Sequence, residues 1–211
     1  MRRVKAHQEA DNIIQGQGWS EGKGCAVGCT LENYAHSQYP IELGLPEWLA
    51  HLQDAIFEGL PRAEAKAFPL QFLEAIPVGV YLEAVRHKLA VLRLSSLLVN
   101  LNGGNVKVKD AINQVIEYHK AALEGTLNNE ELEGLRAAAE SAAESAPGYA
   151  ARSAPGYAAR SAAWSAAESA AESAPGYAAR SAAWSAAESA AESAAWKIER
   201  DNLLVTLRGL E

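Results

Sequence analysis

Two cysteines in 211 residues leave no second pair for a conventional four-cysteine zinc site. Positive charge is also short, with 19 Lys and Arg against 26 Asp and Glu and a net charge of -7. The deficit is shared along the chain, since the residues after 136 hold 6 basic and 9 acidic side chains. No basic face or stripe is left for a duplex, so nucleic acid is not an expected partner. No run of ~18 apolar residues exists, which argues against a membrane partner. Arg2, Arg3 and Lys5 have no apolar stretch behind them, so the start does not read as an export signal and a cytoplasmic chain is expected. Sustained apolar alternation at every second residue is missing too, and the expected fold is therefore all-α.

Large apolar side chains are scarce after position 137, where alanine dominates, so the 49% of residues counted as hydrophobic overstates what can be buried. An alanine offers a methyl group, whereas a buried Leu or Phe contributes about 1.5–3 kcal/mol. The core must come from the first 130 or so residues. Apolar spacing predicts a short helix over 4–14, ended by Gly16 and Gly18, and a glycine-rich connector over 16–24. A compact segment follows over 25–31, then a loop over 33–39. Pro46 opens a helix whose Leu49, Leu52, Ile56 and Leu60 share a stripe, and the same grammar restarts one at Phe68-Pro69. Leu82, Val85, Leu89 and Leu92 mark a longer helix over 80–101, and Ile112, Val115, Ile116 and His119 another over 108–123. This gives about five helices in a globular domain over 1–128.

Residues 129–195 are a repeat. Ser153–Glu172 recurs unchanged as Ser173–Glu192, over an underlying tetrad of small residues with one variable column. Pro147, Pro155 and Pro175 each remove a helical donor, so helices are expected to restart there, giving segments near 130–146, 155–173 and 175–209. Small residues let helices approach closely, which suits pairing within the chain or between copies. Residues 196–211 regain large side chains, and Ile198, Leu203, Leu207 and Leu210 form a stripe fit to dock on the first domain.

The segment richest in chemistry is Gly22-Lys-Gly-Cys25-Ala-Val-Gly-Cys29, with His36 downstream. Two thiols and an imidazole can supply three ligands to zinc, with His7 or Asp11 as the fourth. The plainer account makes Cys25 and Cys29 small buried hydrophobes in a tight turn, and thiol redox chemistry is a third. Ser20 lies in a literal Gly-x-Ser-x-Gly, but that motif needs a strand leading into a helix, and none is expected. His7 and Asp11 sit one turn apart and read as a surface pair. His51, His87 and His119 have no carboxylate or cysteine at convincing ligand spacing and read as structural or surface residues.

Gly22-Lys-Gly-Cys-Ala-Val-Gly-Cys-Thr30, followed by His36, Glu42-Leu-Gly-Leu-Pro46 and Ile56-Phe-Glu-Gly-Leu60, resembles a group of uncharacterised proteins found in bacteria and their phages. The resemblance covers about residues 5–125. It implies an alanine-rich tail closed by a short amphipathic helix, and it brings no activity or cofactor. The Pro-Gly-Tyr interruptions depart from the smoother tails of that group. Two readings result. The first is a non-enzymatic structural or interaction protein that uses the repeat arm for helix pairing or self-association. The alternative is a small metal-binding or thiol-redox protein centred on Cys25, Cys29 and His36.

Overall fold

Helix accounts for most of the chain, and strands contribute four residues among those described. The computed structural model describes residues 1–100, 106–125, 130, 131, 134 and 177–210. These form two units, Met1–Glu83 with Glu199–Glu211, and Ala84–Ile198.

In the first unit, α1 spans Arg2–Glu9 and buries Val4. It ends before the expected Ile14 because Asp11 turns into the left-handed region at φ 55°. The chain then runs extended, with the Ile14 N–H donating to Gly24 O at 2.8 Å and the Gly24 N–H to Asn12 O at 3.1 Å. Ile13 is buried through this pairing rather than on a helix face. The glycine-rich connector is a small hairpin of β1 (Trp19–Ser20) and β2 (Lys23–Gly24), antiparallel with Ser20 opposite Lys23. Its tip has positive φ at both Glu21 and Gly22, the backbone twist that two-residue hairpins favour.

Helix α2 (Ala26–Leu31) is buried at every residue. It sits so close beneath the hairpin that a Cβ on Gly28 would lie 2.0 Å from Gly18 O. The expected loop over 33–39 contains a 3-10 turn at His36–Gln38 that leads into α3 (Tyr39–Leu43). Prolines set the next two starts, with α4 (Glu47–Gly59) following Pro46 and α5 (Arg62–Ala75) following Pro61. Pro69 does not restart a helix as expected. It lies inside α5, where a proline costs roughly 3 kcal/mol, and Ala65, Phe68 and Phe72 around it are fully or almost fully buried, which offsets that cost.

The second unit contains most of α6 (Glu83–Asn100), with Val85 and Leu89 buried, and α7 (Val106–Glu124), with Ile112 and Ile116 buried. Leu92 lies on the expected stripe of α6 yet is 44% exposed. His87 and His119 face each other, Nδ1 to Nδ1 at 2.9 Å, and the Tyr118 ring packs in a T-shaped arrangement with both.

Helix α8 (Tyr177–Arg208) holds most of the second repeat copy and runs into the first unit from Glu199. There Leu203, Leu204, Leu207 and Leu210 are buried, and Arg200 pairs with Glu64 of α5. Ile198 is 46% exposed, against the expected stripe. Five residues separate it from Leu203, which turns it about 140° away on the helix. The repeat over 135–176, with its expected breaks at Pro147, Pro155 and Pro175, lies outside the described residues. Among the described residues, no helix is long and apolar enough to cross a membrane.

Candidate metal site around Cys25, Asp54 and Glu58

Cys25 caps the N-terminus of α2. Its backbone N–H is anchored by the carbonyls of Gln17 at 2.7 Å and Gly18 at 3.1 Å, so the hairpin fixes where the side chain starts. Its sulfur accepts from the Gly28 N–H at 3.5 Å. On α4, Asp54 and Glu58 are four residues apart and so share one face. The sulfur and one oxygen from each carboxylate all lie within 4.8 Å of one another. The depth is graded, with Cys25 buried, Asp54 intermediate and Glu58 exposed.

Each carboxylate is held by one oxygen. Tyr34 donates its hydroxyl to Asp54 Oδ2 at 2.9 Å, and His36 Nε2 lies 3.4 Å from the same oxygen. The Gly16 N–H donates to Glu58 Oε2 at 2.8 Å. The neighbouring Gln15 amide donates to Phe57 O and Leu60 O, both at 2.8 Å, which serves carbonyls that a helix end leaves open. Asp54 Oδ1 is buried and makes no hydrogen bond. The buried Cys25 thiol beside it, protonated at neutral pH, interacts with the Asp54 carboxylate as a hydrogen-bond donor.

The electrostatics point the same way. Burial, with the Asp54 carboxylate beside it, pushes the Cys25 thiol up to about 12. Burial raises the Glu58 carboxyl as well, and Asp54 adds to the effect. The hydrogen bond to Asp54, followed by burial, takes the Tyr34 hydroxyl up to about 12. Burial is thus the main cause of the Cys25 and Glu58 shifts, and the Asp54 charge adds to both. A cation among them would favour the charged forms of Cys25 and Glu58.

Of the residues expected as ligands, Cys25 lies in this cluster and His36 borders it. His36 stacks on His51 with ring centroids 4.2 Å apart and planes 6° apart, and it stands outside the set that meets within 4.8 Å. Cys29 turns away, with its thiol donating to Gly24 O at 3.3 Å and Asn12 O at 3.6 Å. Its thiol is raised to about 11, by burial. Both cysteines are free and buried. His7 lies 3.5 Å from Glu32 and packs against Trp19, while exposed Asp11 pairs with Lys66. The two do not orient each other, because Asp11 lies beyond the end of α1.

Sequence reasoning missed Asp54, Glu58 and Tyr34. His51, Asp54 and Glu58 are spaced three and four apart, a polar stripe between the buried positions of α4 that was legible and went unread. His51 lies 3.7 Å from Glu47 one turn before it, an exposed pair on the surface of α4. No family model matches the chain, and no curated protein or solved structure matches it either.

Proposed function

We propose that the first unit binds a divalent transition-metal ion through Cys25, Asp54 and Glu58. The supporting observation is that a buried sulfur and one oxygen from each of two carboxylates lie within 4.8 Å of one another, with each carboxylate held by a donor to one oxygen. This is how outer partners orient metal-ligating carboxylates. A thiolate with carboxylates suits zinc and its neighbours, whereas calcium and magnesium prefer oxygen alone. Thiol redox chemistry is less supported, because thiols held near 12 and 11 are almost wholly protonated at neutral pH.

The test is equilibrium dialysis against zinc, using the full chain purified under reducing conditions without a metal-affinity tag. Wild type and Cys29→Ser are expected to retain stoichiometric zinc, and Cys25→Ser and Asp54→Asn to lose it. Zinc absent from the wild type, or equal in all four, overturns the reading.

A second reading concerns the repeat arm and has its own observation. Most of one repeat copy lies in α8, whose last turns bury Leu203 and Leu207 in the first unit. We propose that the arm is a structural element for helix pairing or self-association, with a protein or a second copy as partner, in a cytoplasmic, non-enzymatic role. Whole repeats can then be gained or lost without disturbing the core. Deleting 153–172 is expected to change sedimentation while the first unit stays folded; unchanged sedimentation contradicts it.

A further inference from the structure

We infer that the metal at this site keeps one coordination position open to solvent and takes a neutral nitrogen or oxygen donor there. The inference rests on the metal reading above and adds the class of ligand. Structural zinc sites close with four protein ligands, whereas sites with three keep an exchangeable fourth position. Among the described residues three donors meet here. Neither candidate for a fourth belongs to that set: the Cys29 thiol donates to the carbonyls of Gly24 and Asn12, and the His36 ring, stacked on His51, places its buried Nε2 beside Asp54 Oδ2 without joining the three.

The open side is set by burial. Cys25 and Asp54 reach the cluster from the interior, while Glu58 is exposed and half-exposed Tyr34 stands beside it. Charge then selects the ligand. One thiolate and two carboxylates against a divalent ion leave a net charge of about -1 on the centre. An anion added there meets that charge at contact distance, and a neutral donor does not. Bound water would be acidified less than at a centre of neutral ligands, so the position suits holding an imidazole, amine or carbonyl oxygen rather than generating hydroxide.

The test uses the full chain loaded with cobaltous ion and read by its visible absorption. Imidazole is expected to shift the ligand-field bands and saturate at concentrations at least about tenfold lower than azide requires. Bands unmoved by either probe mean a closed site and overturn the inference, as does azide binding more tightly than imidazole. His36→Ala is expected to respond like the wild type; a response seen only in that variant would make His36 the closing ligand and also overturn it. Absence of any thiolate-to-cobalt charge-transfer band is a separate result, and it sinks the metal reading itself.

Discussion

Replacing Gly28 by alanine tests how the hairpin, α2 and the site depend on one another. Helix propensity alone favours the change by about 1 kcal/mol. The structure opposes it, because the new Cβ would lie 2.0 Å from Gly18 O and 3.1 Å from Gly18 C, backbone atoms that cannot rotate away. The hairpin would have to lift by about an ångström, and overpacking of this kind costs roughly 1–3 kcal/mol. Lifting also breaks the bond from the Cys25 N–H to Gly18 O, while the shorter one to Gln17 O can survive. A lost bond adds about 1 kcal/mol. The net expectation is a loss of about 1–3 kcal/mol, a fall in Tm of roughly 4–24 °C for a unit of this size. Urea denaturation followed by circular dichroism reads it. Zinc affinity should fall as well, because the segment leading into the hairpin carries the Gly16 N–H that holds Glu58. A Gly28→Ala variant as stable as the wild type would refute the packing argument.

The remaining expectations concern the thiols, the histidine pair and the docked tail. Iodoacetamide at neutral pH should leave both cysteines unmodified in the folded chain and label both in urea, since burial holds their thiols near 12 and 11; fast labelling of the native protein contradicts this. Because zinc must displace the Cys25 proton, its apparent affinity should rise about tenfold per pH unit through neutrality; an affinity independent of pH would mean the thiol is not a ligand. Burial, with His87 and Arg86 nearby, pushes His119 down to about 4 from an ordinary 6.5. The unfolded chain therefore takes up the proton first, so the stability of the second unit should be full above about 6.5, fall as pH drops from there to about 4, and level below. His119→Gln should flatten that slope in a hydrogen-exchange series over the same range. Leu207→Ala should destabilise the first unit by about 2–5 kcal/mol, because the side chain is fully buried; a change below about 1 kcal/mol would mean the tail contributes little.

What the sequence made legible was local. Pro46 and Gly59 bound α4 where expected, and the helical class follows from apolar spacing. Pro69 misled because its cost is local while the burial of Phe68 and Phe72 that offsets it depends on the tertiary fold. Ile14 misled in the same way, since its helical spacing yields to strand-like pairing with Gly24. At the site, Cys25 was found by its chemistry, but its partners are 29 and 33 residues downstream. No local rule links a helix cap to the face of another helix. The four-residue spacing of Cys25 and Cys29 suggests a shared ligand, but it does not foretell that the Cys25 sulfur caps α2 at the Gly28 N–H while the Cys29 thiol donates to Gly24 O.

X-ray absorption at the zinc edge of the loaded, full-length protein tests the central claim most directly. The account predicts one sulfur neighbour at about 2.3 Å, with the remaining neighbours nitrogen or oxygen at about 2.0–2.2 Å. Two sulfur neighbours would restore the pairing of Cys25 with Cys29, and none would remove Cys25 from the site; either result contradicts the account.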